Sequence, residues 1–130
     1  MEVSVCKVFS FDAAHYLPVY DGKCQNLHGH RWVLEVEVSG PVGENGMVVD
    51  FVHLKNLVND EVINFLDHTC LNEVLVGKME DSLGVVNPTC ENLLHWIWIR
   101  LSPLGTWQRR VRIERLRLYE TPDSFAEIRA

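Results

Sequence analysis

The chain has 130 residues, 47% of them apolar and 23% charged, a balance that fits one folded domain and excludes a disordered segment. A formal net charge of -6 argues against nucleic acid or an anionic membrane as the main partner, because both recruit clusters of Lys and Arg. No stretch is apolar for the length of a membrane span, and Met1 to Lys7 lack a basic segment leading into an apolar one, so a cytoplasmic protein is expected.

Val3, Val5, Phe9 and Phe11 recur at period two and predict a strand from Glu2 to Phe11. Trp32, Leu34, Val36 and Val38 alternate with Glu35 and Glu37, which predicts a second strand from Arg31 to Ser39. After Asp50 the apolar residues Phe51, Leu54, Leu57, Val58, Val62, Phe65 and Leu66 line one face of a helix. Val74 to Asn87 shows no period and is expected to be a loop. Pro88-Thr89, with Glu91 in the first turn, marks the start of a second helix whose body contains Leu93, Leu94, Trp96, Ile97 and Leu101. A third strand is expected from about Arg109 to Tyr119. Val111 and Ile113 are odd-numbered and Leu116 and Leu118 even-numbered, so its buried face switches near Arg115, as a bulge would require. A short terminal strand around Phe125 to Ile128 completes an α+β domain over residues 1–130, with two helices on one face of an antiparallel sheet.

Cys6, Cys24, Cys70 and Cys90 form no CxxC pair, so neither a disulfide framework nor a cysteine-zinc site is expected. All but Cys24 are read as small buried hydrophobes.

The chemistry gathers in the first third of the chain, in Phe11-Asp-Ala-Ala-His15 and Cys24-Gln-Asn-Leu-His28-Gly-His30. His28 and His30, two apart at the entry to a strand, point to one face, and His15 at the end of the preceding strand closes a triangle. Three neutral imidazoles suit Zn2+, and a site with three protein ligands keeps a fourth position open for catalysis. Two roles are open to Cys24. It is spaced to be a fourth zinc ligand, or a nearby cation lowers its thiol pKa from the usual ~8.5 and makes it a base. Asp67-His68 reads either as a polar pair at a helix end or as a proton relay.

The phrases Phe11-Asp-Ala-Ala-His15, Cys24-x-x-x-His28-Gly-His30, Leu66-Asp-His-x-x-Leu-Asn72, Asn87-Pro-Thr-x-Glu-Asn92 and Leu118-Tyr-Glu-Thr121 occur in this order from about residue 7 to residue 121. Together they resemble the 6-pyruvoyl/6-carboxytetrahydropterin synthase family, and most closely its 6-carboxytetrahydropterin branch. The resemblance implies a tunnelling fold (T-fold), in which subunits join their sheets into a barrel, usually a hexamer of two trimers with active sites between subunits. It makes His15, His28 and His30 the zinc ligands, Cys24 the catalytic acid/base, and Asp67 and His68 a catalytic pair. Glu120 matches the carboxylate that anchors the pterin, while Thr89 and Glu91 are either aids to pterin binding or plain helix-start residues.

The implied substrate is 7,8-dihydroneopterin triphosphate. One branch makes 6-pyruvoyltetrahydropterin. The other, favoured by Val49-Asp50-Phe51 and by the short chain, makes 6-carboxy-5,6,7,8-tetrahydropterin and acetaldehyde for 7-deazaguanines such as queuosine. Many relatives carry a basic residue after the first zinc histidine where this chain has Tyr16, which leaves Lys23, Arg31 and Lys55 as substitutes for triphosphate contact. A zinc hydrolase and a non-catalytic zinc-stabilised module are the readings from other classes.

Overall fold

The computed structural model describes residues 1–79, 84–103 and 110–130. Five strands form one sheet in the order β3-β1-β2-β4-β5, with β1 at Glu2–His15, β2 at His28–Pro41, β3 at Thr69–Cys70, β4 at Arg112–Thr121 and β5 at Ser124–Arg129. All neighbouring strands are antiparallel except β3, which runs parallel to β1 for two residues. No helix among the described residues is long and apolar enough to cross a membrane.

Alternation decides which face is covered. Phe9, Phe11 and Ala13 of β1, Trp32, Leu34, Val36 and Val38 of β2, and Leu116 and Leu118 of β4 are buried on one face. Against them lie α1 (Phe51–Val58), a π-helical turn (Asn59–Ile63) and α2 (Asn64–Leu66), which supply Leu54, Val58, Val62, Ile63 and Leu66. The π turn lets Ile63 into the core, while Phe51, expected in the apolar stripe, is 48% exposed. After α3 (Leu71–Val74), the long helix α4 (Cys90–Leu101) adds Leu93, Leu94, Ile97 and Leu101 and packs on β4 and β5. The caps follow from the sequence: Asp50 accepts the Val52 N–H and Thr89 the Asn92 N–H, each satisfying a donor that the helix cannot.

The predicted phase change in the third strand is real. Register shifts between Glu37 and Val38 of β2, which pair with Arg115 and Ile113, so Glu114 is the extra residue. The bulge turns Arg115 onto the face opposite the helices, where its guanidinium reaches Glu37 at 3.1 Å and Glu35 at 3.0 Å. Arg109 lies outside the described residues, as do residues 80–83 of the expected loop.

Three local expectations need correction. β1 and β2 run further toward the histidines than apolar alternation indicated, and β3 and α3 were not anticipated. Cys6, read as buried, is exposed, because it sits on the even-numbered face of β1 away from the helices, and Cys70 is half-buried. Cys90 alone of the three fits. It is buried, its thiol donates to the Leu118 carbonyl, and burial pushes its pKa up to about 11.

Candidate metal centre and adjoining cavities

Strand register builds the histidine triangle. His15 pairs directly with His28 across β1 and β2, and Ala13 pairs with His30, so His30 lies diagonal to His15 on the same face. The ring centroids are 4.6 Å apart for His15–His28, 4.8 Å for His28–His30 and 5.2 Å for His15–His30. Trp32 closes the inner side, edge-on to His15 at 5.2 Å and to His30 at 5.6 Å. Its indole N–H donates to the Ala13 carbonyl.

The tautomers follow from the partners. His15 Nδ1 meets the Pro88 carbonyl oxygen at 2.8 Å, and His28 Nδ1 meets the Asn26 carbonyl oxygen at 2.7 Å. A carbonyl only accepts, so each Nδ1 carries the proton and each Nε2 keeps a lone pair. The Nε2 atoms of His15, His28 and His30 are all buried without a hydrogen-bond partner. Buried polar atoms are normally satisfied, so three unpartnered ring nitrogens together point to a common partner. One ligand atom from each histidine lies within 4.8 Å of the others, a spacing that could hold a metal ion. Burial lowers the pKa of His15 and His30, although Glu120 opposes this at His30, and that favours the neutral form of these two rings, which ligation requires.

Cys24 falls outside that set of ligand atoms. It is half-buried in a 3-10 turn (Lys23–Gln25), and its carbonyl accepts the Leu17 N–H, which ties the turn to the chain just after His15.

Asp67 and His68 do touch, with His68 Nδ1 2.9 Å from Asp67 Oδ2. Asp67 Oδ1 accepts the Asp12 N–H at 2.9 Å, and this bond, with the one from His68, holds the Asp67 carboxyl below the usual carboxylate range. His68 has a left-handed backbone (φ 60°) and an exposed side chain.

His30 joins two cavities. One, about 590 Å³, is lined by His30, Glu35, Tyr119, Glu120 and Pro122, with Glu120 Oε1 3.4 Å from His30 Nε2. The other, about 440 Å³, is lined by Asp12, Ala13, His30, His68 and Thr69. Gly29 and Arg31 line both. Both volumes are within the range of small-molecule sites. Arg31 is tied to Asp12 at 3.3 Å, while Lys23 and Lys55 line neither cavity. Thr89 and Glu91 line neither as well. The Thr89 hydroxyl is occupied in capping α4, and Glu91 is an exposed first-turn residue.

Sequence reasoning missed the groups that hold the ligands. The Pro88 and Asn26 carbonyls leave no side-chain signal. Asn72 had one, as the last residue of the Leu-Asp-His-x-x-Leu-Asn phrase.

Comparison with known proteins agrees with the fold and the motifs. The family profile of 6-pyruvoyl tetrahydropterin synthase (PTPS) matches residues 4–130. The 6-carboxy-5,6,7,8-tetrahydropterin synthase of Haemophilus influenzae is 38% identical, covering 95% of this chain and 96% of its own. That of Synechocystis is 42% identical over 78% of this chain and 76% of its own. The structure of Caenorhabditis elegans 6-pyruvoyl tetrahydropterin synthase superposes with a TM-score of 0.82 at 26% identity, covering 100% of this chain and 96% of that one. With the T-fold sheet, its helices on one face and these relatives, the chain belongs to the 6-pyruvoyl tetrahydropterin synthase family of lyases.

Proposed function

We propose that this protein is a zinc-dependent lyase that converts 7,8-dihydroneopterin triphosphate and water into 6-carboxy-5,6,7,8-tetrahydropterin, acetaldehyde and triphosphate, a step toward 7-deazaguanines such as queuosine. The observation that carries the reading is the convergence of three buried imidazole Nε2 atoms without a hydrogen-bond partner, on His15, His28 and His30, the last of which lines a cavity that also holds Glu120. The product branch rests on the names of the Haemophilus and Synechocystis relatives.

His15, His28 and His30 would hold the zinc ion, whose donor set of three neutral imidazoles suits it. When bound, zinc supplies a Lewis acid that lowers the pKa of the substrate's side-chain hydroxyls. Cys24 is not needed as a ligand in this scheme and is free to move the carbon-bound proton. Asp67 accepts the His68 Nδ1 proton, which leaves His68 Nε2 as the atom that exchanges protons with substrate. The Glu120 carboxylate accepts hydrogen bonds from the amino and N3 donors of the pterin ring. Arg31, the one candidate cation on both cavities, is the group proposed for triphosphate contact. Thr89 and Glu91 are assigned no direct contact. A homohexamer built from two trimers, with subunits completing each other's sites, is the proposed assembly.

The test is to incubate the zinc-loaded protein with 7,8-dihydroneopterin triphosphate and identify the products, with Cys24→Ala as control. Carboxytetrahydropterin and acetaldehyde, lost in the variant, are expected. 6-Pyruvoyltetrahydropterin would instead move the protein to the branch named for the Caenorhabditis neighbour.

A further inference from the structure

We propose that Asn72 is a positioning residue for the metal centre, acting through the backbone of Tyr16 to hold the end of β1 that carries His15. The proposal rests on the metal reading above and adds a residue to it. Asn72 is a buried polar side chain, 7% exposed, and both ends of its amide are spent on one residue. Its Oδ1 accepts the Tyr16 N–H at 3.0 Å, and its Nδ2 donates to the Tyr16 carbonyl at 2.9 Å. A primary amide can satisfy an N–H and a C=O of one residue at once, as a neighbouring strand would.

The surroundings give that contact its meaning. Beside β1, the segment 67–72 makes a run of contacts in order. Asp67 Oδ1 takes the Asp12 N–H, the His68 N–H donates to the Asp12 carbonyl, and Thr69 and Cys70 pair with Ala13 and Ala14. Asn72 then takes Tyr16. Two side chains thus extend a parallel ladder of only two residues at both ends, so it spans residues 12 to 16 and contains His15. The same ladder carries Asp67 and His68, so it fixes the acid-base pair and the metal ligand in one register. Without Asn72, the Tyr16 backbone groups lose their partners and β1 frays at the residue next to the ligand. Groups that orient metal ligands from behind are commonly worth 10- to 100-fold in metal affinity.

The experiment measures Co2+ affinity of the full chain by its visible absorption, in wild type, Asn72→Ala, Asn72→Asp and Leu71→Ala. Leu71 is fully buried beside Asn72 but makes no such contact with Tyr16, so its truncation reports general loosening. Asn72→Ala is expected to weaken Co2+ binding by about tenfold or more and to alter the absorption band, with Leu71→Ala within about twofold of wild type. Asn72→Asp keeps the acceptor and loses the donor, and it decides the matter if Asn72→Ala does not fold. Its Co2+ affinity is expected to fall further than that of Leu71→Ala. Wild-type affinity in the folded Asn72 variants, or an equal loss in Leu71→Ala, would overturn the proposal while leaving the metal reading intact. A wild-type chain that binds no Co2+ would overturn both.

Discussion

His15 Nδ1 lies 2.8 Å from the carbonyl oxygen of Pro88, 73 residues further along the chain, and this contact fixes which ring nitrogen is free. Pro88 directly precedes Thr89, the cap of α4, so the start of that helix and the end of β1 are held together. The tautomer that exposes Nε2 is a product of the tertiary fold. With the Asn26 carbonyl acting likewise on His28, it explains why these two histidines present Nε2 lone pairs before any ion arrives.

Metal removal should therefore leave the fold standing. The core is one apolar cluster built from both the sheet and the helices, and it touches the histidines only through Trp32 among the ring contacts described. Far-ultraviolet circular dichroism after chelation is expected to keep its native shape, with a lower Tm through lost ligand linkage. Wholesale unfolding on chelation would favour a structural site.

The metal-free protein should lose stability in acid, beginning near neutrality. Burial lowers the pKa of His15 and His30 in the folded state, so below an unfolded value of about 6.5 the unfolded chain binds more protons. Stability is then full above about pH 6.5 and declines as the pH falls toward the folded values. Denaturant titrations at a series of pH values check this. Replacing His15 by Gln should flatten the slope.

Gly29 separates shape from chemistry. A Cβ built there meets only the Ala13 carbonyl oxygen, at 4.0 Å, yet the residue lines both cavities around His30. Gly29→Val should fold, because its Cβ comes no closer than 4.0 Å to the Ala13 carbonyl oxygen. Its side chain would occupy the space shared by the two cavities, and turnover should fall at least tenfold. A fully active variant would show that substrate does not pass over this surface.

Arg115 is the cation that lets three carboxylates share the uncovered face of the sheet. It is 9% exposed and lies 3.0, 3.1 and 3.5 Å from Glu35, Glu37 and Glu127. Arg115→Ala takes that counter-ion from half-buried Glu35 and Glu37, while Glu127 keeps Arg117 and Arg129, and should cost about 2–3 kcal/mol in urea unfolding. Arg115→Ala combined with Glu37→Gln should recover part of the loss, because it removes one of the stranded charges.

The sequence disclosed those features that single residues encode. Alternation in β2 is nearly perfect from Trp32 to Val38, and the three-residue step from Ile113 to Leu116 marked the one-residue bulge. Asp50 and Thr89 announced their helices by cap chemistry. The ends of β1 and β2 were hidden because Ala13, His15 and His28 are poor strand signals, held there by the pairing of Ala13 with His30 and of His15 with His28. β3 was hidden because two residues carry no period, and its pairing with β1 comes from tertiary contact. The histidines could be picked out by type and spacing. The orientation of His15 and His28 could not, since it depends on backbone carbonyls of Pro88 and Asn26.

The most direct test of the account is to titrate zinc into the metal-free protein while measuring turnover of 7,8-dihydroneopterin triphosphate. Product formation should rise in proportion to added zinc and level off at one ion per chain, with no rise in the His28→Ala variant. Turnover that is the same before and after zinc addition would contradict it.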